Sequence, residues 1–241
     1  MSKLSALKAT PVWYDVTIPS TGVKTKFKSY TIGDEKSLLI AQESEDSDTM
    51  VSTLHAVIQN CLREPQEPLT VYDLEYLYTK LRSKSVGEIS NLVMTCNTPK
   101  CVEEEVKTKV PVNLETVYID RPEGQKPFLV VKITPTRGMK ITHPSVSEAM
   151  IIDSIERAVD RDLISLSLCI REVYDGDEVL DMSGETQADR MSFVVDLPVN
   201  VKDEAIEFLD NTPTTAIDIK FKCRGCHKDH SITLKGMSNF F

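Results

Sequence analysis

Apolar positions along this chain change period several times. Trp13-Tyr-Asp-Val-Thr-Ile alternates toward the turn formers Pro19-Ser-Thr-Gly22, and Val23-Lys-Thr-Lys-Phe-Lys-Ser-Tyr-Thr-Ile alternates back. A period of two belongs to half-buried strands, so a β-hairpin is predicted with Val23 and Phe27 on its inner face. Residues 1–11 read as a polar arm. Thr31 or Asp34 can then cap a helix reaching about Glu45, with Leu38, Leu39 and Gln42 near helical spacing. Ser44-Glu-Asp-Ser-Asp reads as a loop. In 49–62, Met50, Leu54, Val57, Ile58 and Cys61 fall at i, i+4, i+7, i+8 and i+11, the stripe of an amphipathic helix. Beyond Pro65 and Pro68, Thr70 is placed to cap another helix, whose apolar face is Leu74, Leu77, Tyr78 and Leu81.

The later half is less periodic. Residues 113–126 are polar and read as a connection. Phe128-Leu-Val-Val-Lys-Ile-Thr-Pro135 reads as a strand closed by the turn Pro135-Thr-Arg-Gly138. Ser145 is placed to cap a helix over 146–159 that buries Ala149, Ile152, Ile155 and Val159. Residues 163–174 are apolar enough for a buried helix or a buried strand, with helix preferred. Asp175-Gly-Asp is a turn, and a short helix is expected from Gly184 through Val195. After Pro198 and Asn200 a last helix over 202–210 should bury Ala205, Ile206 and Leu209. No internal repeat or low-complexity tract occurs beyond the two cysteine motifs that follow.

Those motifs are Cys96-Asn-Thr-Pro-Lys-Cys101 and Cys223-Arg-Gly-Cys226. Each is a tight polar turn between strand-like segments, which is how a zinc knuckle aims two thiolates at one point. Two knuckles supply four sulfur ligands and close a tetrahedral shell. The expected site is therefore one structural Zn2+ held by Cys96, Cys101, Cys223 and Cys226, clipping the middle of the chain to its end. The gap of roughly 120 residues between the pairs is longer than zinc ribbons usually keep. The plainer alternative is a set of unrelated buried thiols, which suits Cys61 and Cys169 in their apolar runs but not four cysteines in polar turns. Cys223-Arg-Gly-Cys226-His227 also spells a c-type haem attachment. Attachment needs export, however, and the N-terminal sequence lacks an apolar core long enough for a signal peptide. A disulfide reading lacks an oxidising compartment. His227 and His230 are expected just outside the metal shell.

Charge and composition narrow the function. A net charge of −9 argues against a nucleic-acid partner. Lys100, Lys107, Lys109, Lys220, Lys222, Arg224 and Lys228 make the knuckle region locally basic, and are read as the wet faces of edge hairpins. No apolar run approaches membrane-spanning length. No phosphate loop, nucleophile elbow, metalloprotease helix or zinc-deaminase pattern occurs. His55, His143, His227 and His230 form no convincing triad with a serine or free cysteine. An enzyme is not expected, nor a small-molecule substrate.

The order of features carries a resemblance. An N-terminal hairpin leads to Asp34-Glu-Lys-Ser-Leu-Leu-Ile-Ala-Gln-Glu. An aromatic-rich helix then runs into Leu81-Arg-Ser-Lys-Ser-Val-Gly-Glu88 and a cysteine knuckle. A second Cys-x2-Cys precedes Leu234-Lys-Gly-Met-Ser-Asn-Phe-Phe241. This resembles the baseplate hub subunit family of T4-like contractile-tailed bacteriophages over most of the chain, the 120–165 region in general character only. The resemblance implies a protein that helps assemble the hub at the centre of the tail baseplate, as component or assembly factor. Its partners would be other baseplate hub and tail proteins. It would sit in the host cytoplasm during assembly and in the virion tail baseplate if retained. A zinc-ribbon nucleic-acid-binding module is the alternative. Phe240-Phe241 and the Trp13-Tyr14 arm are candidate apolar anchors for partners, unless the phenylalanines fill their own core.

The fold expected is α+β. An N-terminal arm and hairpin cover 1–32, a helical region 33–85, the first knuckle hairpin 86–112, a central mixed α/β region 113–213, and the second knuckle hairpin and tail 214–241, the knuckles forming a zinc-ribbon-like element.

Overall fold

A computed structural model describes residues 10–240. Its elements are α-helical and antiparallel β, as the changing periods predict, and they group into two compact units. The first contains the described residues before Pro68, Asp73–Ile119, and the chain from Thr215 onward; the second contains Pro68–Tyr72 and Asp120–Thr214.

The first unit opens with the predicted hairpin, β1 (Tyr14–Thr17) against β2 (Lys24–Phe27), with Tyr14 opposite Phe27 and Val16 opposite Thr25. Val16, Ile18 and Phe27 are buried, whereas Val23 is exposed. The correction lies in the turn: Gly22 takes φ 72° and Val23 closes the loop through its carbonyl to the Ile18 N–H, beyond the buried pairs. Helix α1 (Ile32–Glu43) starts at Thr31, whose hydroxyl and the Asp34 carboxylate complete a capping box. It buries Leu38 and Ala41 and leaves Leu39, Ile40 and Gln42 in solvent. Helix α2 (Ser47–Cys61) begins inside the expected loop, because the Asp46 carboxylate accepts the Thr49 N–H and caps it. It buries Leu54, Val57, Ile58 and Cys61 as its stripe predicts. Helix α3 (Val71–Ser85) buries Leu74, Leu77 and Leu81.

Two hairpins complete this unit. Strand β3 (Ile89–Thr95) pairs with β4 (Lys107–Asn113), the connection carrying a short helix α4 (Pro99–Glu103) where a bare tight turn was expected. A 3-10 turn over Leu114–Thr116 and a short strand β5 (Tyr118–Asp120) occupy part of the supposed polar connection. Strands β10 (Thr214–Lys222) and β11 (Asp229–Lys235) form the terminal hairpin, in a sheet ordered β11-β10-β5. Val110, Val112, Leu114, Ile217, Ile219, Phe221 and Phe240 share one core. Phe240 is fully buried there, so it serves this core and not a partner; Phe241 lies outside the described residues. Trp13 and Tyr14 are half-buried, the Tyr14 ring 5.5 Å from Phe27. Glu75 of α3 ties the C-terminal segment down, accepting the Thr215 hydroxyl at 2.7 Å and the Met237 N–H at 3.4 Å.

The second unit is a four-stranded antiparallel sheet, β6 (Phe128–Lys132), β7 (Arg137–Thr142), β8 (Ile170–Asp175) and β9 (Glu178–Asp181), in that order. Helices α5 (Val146–Asp153), α6 (Ala158–Cys169), α7 (Gln187–Val195) and α8 (Val199–Asp210) complete it. Its core unites Val131, Met139 and Ile141 with Leu166, Cys169, Val194, Val201 and Ala205. The single helix expected over 146–159 is two: α5 stops at Ser154, whose hydroxyl folds back onto the Ile151 carbonyl, and Val159 is exposed at the start of α6. The apolar run 163–174 is helix to Cys169 and strand from Ile170. The Arg190 guanidinium marks the change, donating to the Ser167 carbonyl at 3.0 Å at the helix C-terminus. Strand β7 follows the Pro135 turn; Gly138 lets it in, since a Cβ there would lie 2.5 Å from the Tyr174 ring.

Candidate metal centre

Each knuckle is positioned by its hairpin. In the first, Cys96 follows the end of β3 and Cys101 lies on α4, whose Pro99 fits the first helical turn because that N–H has no partner to lose. In the second, β10 ends at Lys222, the Cys223 N–H donates to the Lys228 carbonyl, and the His227 N–H donates back to the Cys223 carbonyl. His227 closes this turn in the left-handed region at φ 58°. The hairpins are joined directly, the Arg224 N–H donating to the Thr108 hydroxyl at 3.1 Å.

This brings the four predicted cysteines together from both ends of a long sequence gap. Their sulfur atoms all lie within 4.8 Å of one another, with Cys96 and Cys226 at 3.6 Å and Cys101 and Cys223 at 3.8 Å. Metal–sulfur bonds of about 2.3 Å in a tetrahedron require sulfur–sulfur edges of about 3.8 Å. A disulfide requires about 2.05 Å, so the spacing suits a shared cation and no bridge. Cys96, Cys101 and Cys223 are buried and Cys226 is half-buried. The donor set, the spacing and the closed surroundings all fit a four-sulfur ion.

Hydrogen bonds prepare the sulfurs unequally. The Lys228 N–H and then the Thr98 hydroxyl, 3.6 Å from the Cys226 sulfur, pull that thiol down to about 5. The Cys226 N–H leads the effects that lower Cys223. Loss of water around Cys101, followed by its crowding by the other thiols, pushes it up to about 12. Four thiolates this close would repel one another, and a divalent cation would offset that repulsion. Gly225 is what allows the approach: a Cβ there would meet the Val106 side chain at 2.9 Å and the Cys101 sulfur at 3.1 Å.

Among the described residues the cluster holds these four cysteines, with His227 exposed and the His230 ring stacked 4.9 Å from Phe221. Cys61 and Cys169 are buried elsewhere, as their apolar runs predict. Thr98, whose N–H also lies 3.4 Å from the Cys96 sulfur, is the site residue that the cysteine spacing alone misses; its place before Pro99 is the signal available. The seven basic residues of the knuckle region are all exposed, interleaved with exposed Glu103, Glu104 and Glu105.

A family model described as T4 bacteriophage base plate protein matches residues 12–241. No curated protein matches the chain, and no solved structure does.

Proposed function

We propose, for a chain that belongs to the T4 bacteriophage base plate protein family, a non-enzymatic scaffold or assembly role in the baseplate hub. It acts through contacts with other hub and tail proteins. Cys96, Cys101, Cys223 and Cys226 bind one structural Zn2+ that staples the two hairpins. The observation that carries the metal reading is the meeting of four sulfurs, within 4.8 Å, from motifs separated by about half of the chain. Thiolate ligands select zinc among the divalent ions that a four-sulfur shell accepts. Four protein ligands leave no open position for substrate, which suits a staple better than a catalyst. The hub assignment rests on the Leu-Arg-x-Lys-Ser-Val-Gly-Glu stretch, its following knuckle and the terminal knuckle.

Elemental analysis of protein purified without chelator tests the metal. About one zinc per chain is expected, lost in Cys226→Ser and Cys96→Ser and kept in Cys61→Ser and Cys169→Ser. Zinc retained by Cys226→Ser would overturn the shared site. Co-purification of the chain with individual hub and tail proteins tests the assembly role, and quantitative mass spectrometry of finished particles separates a virion component from a factor that leaves. The second reading, a nucleic-acid module, rests on the exposed knuckle lysines. It requires salt-dependent retention on heparin, and the interleaved glutamates argue against it.

A further inference from the structure

The first unit holds a cleft of about 640 Å³ within its helical part. Its apolar lining includes Leu38 and Leu39 of α1, Met50 of α2, Val86 just past α3, and Met237 of the C-terminal segment. Helix α1 explains why this surface is apolar. Leu38, Leu39 and Ile40 are consecutive, so the helix can turn only part of that run inward; Leu38 is buried while Leu39 and Ile40 are each 55% exposed. Ile32, one heptad before Leu39, is 85% exposed on the same stripe, and Val86 is 58% exposed. Apolar side chains gathered in a concavity and on one helix face mark a surface that is covered in an assembly more often than scattered ones do.

The rim has a sign. Glu35, Glu45 and Asp46 line the cleft, with Arg82 as the basic group among the described lining residues. Glu43 and Asp48 flank it in the run Glu43-Ser-Glu-Asp-Ser-Asp48, where all four acidic residues are exposed. Capping fixes this edge, because Asp46 is committed to the Thr49 N–H at 3.2 Å and Glu45 takes φ 55° between the two helices. The carboxylates are thus held beside the apolar lining and not spread along a flexible loop. A groove with an apolar lining and an acidic rim complements an amphipathic helix with a basic flank.

We propose that this cleft is a docking site for a basic amphipathic helix of another protein, with Leu39 at the centre of the contact and the 43–48 edge steering and orienting it. The proposal adds a partner surface to the scaffold reading and is independent of the cysteine cluster.

The test uses the full chain and two labelled peptides of about 18 residues, long enough to hold a helix once bound. One places leucine on one face and lysine on the other; its counterpart carries glutamate for lysine. Fluorescence anisotropy should show the lysine peptide binding saturably and the glutamate peptide at least 10-fold more weakly. Leu39→Asp should weaken the lysine peptide at least 10-fold. Glu35→Lys with Glu45→Lys should weaken it comparably and flatten its salt dependence. Val179→Asp, an exposed apolar residue on β9 in the second unit, should leave binding unchanged. Thermal melts matching wild type establish that each variant is folded. Equal binding by Leu39→Asp and wild type overturns the site. Equal binding of both peptides overturns the basic partner. Wild-type self-association that Leu39→Asp abolishes also overturns it, in favour of a second copy in the cleft.

Discussion

At the scale of single residues, burial decides behaviour more than residue type. His143 is 1% exposed in the second unit, its ring stacked 4.2 Å from Phe208 and edge-on to Tyr72. Desolvation, and then the nearby charge of Arg121, lower it from 6.5 to about 4. Between those values the unfolded chain binds the proton and the folded chain does not. The stabilisation from a neutral His143 is therefore complete above pH 6.5 and is lost as pH falls toward 4, by ~3 kcal/mol in all. Urea unfolding at pH 7 and pH 4.5 should show His143→Phe losing ~2 kcal/mol less than wild type over that interval; equal losses would mean the ring is protonated in the fold. Gly225 is the other telling residue. Gly225→Ala places a methyl against Val106 and the Cys101 sulfur, so about 1–3 kcal/mol should be lost. Val106→Ala in the same chain should restore part of it, read as the midpoint of urea unfolding.

At the scale of elements, caps and side-chain ties determine where each helix begins and ends. Ser145 and Glu148 form a capping box at the start of α5, and Glu148 also accepts two hydrogen bonds of 2.7 Å from Arg171 at the start of β8. Arg171 reaches the Thr142 hydroxyl of β7 at 2.7 Å and the Leu168 carbonyl of α6 at 3.0 Å as well. One guanidinium therefore joins two helices and two strands, largely out of water. Removing it strands a buried carboxylate, so Arg171→Met should cost about 3 kcal/mol. Adding Glu148→Gln to that variant should cost less than the sum of the single changes, because the orphaned charge goes with it. Additivity in denaturant melts would show that the pair is solvated and weak.

At the scale of the whole molecule, the sulfur cluster joins two hairpins of the first unit. The four cysteines lie on two hairpins that the sequence separates widely, so an ion bound there would close a long loop and its binding energy would be folding energy. Chelator should therefore lower the melting temperature of wild type and leave that of Cys226→Ser unchanged. The loss in wild type should be several kcal/mol, on the order seen for structural zinc. Identical melts of wild type with and without chelator would mean that the hairpins stand on Phe240 and its core alone.

Much of this was legible in the sequence because local physics repeats there. The stripe of α2, the capping residues Thr31 and Ser145, the alternation around both knuckles and the polarity of four cysteine-bearing turns determined the α+β class and the candidate metal ligands. Those signals depend on neighbours within one or two turns of chain. What the tertiary structure decided depends on partners farther away. Residues 163–174 are apolar in either conformation, and only β7 and the Arg190 cap divide them into helix and strand. Leu38, Leu39 and Ile40 are alike in hydrophobicity, and only packing selects Leu38 for the core and leaves Leu39 and Ile40 exposed. Phe240 looks like an anchor for a partner until Glu75 draws the C-terminal segment onto its own sheet. Convergence of Cys96, Cys101, Cys223 and Cys226 is the same case: spacing supplied two pairs of thiols, and the fold made them one site because Gly225 lets the second hairpin approach the first.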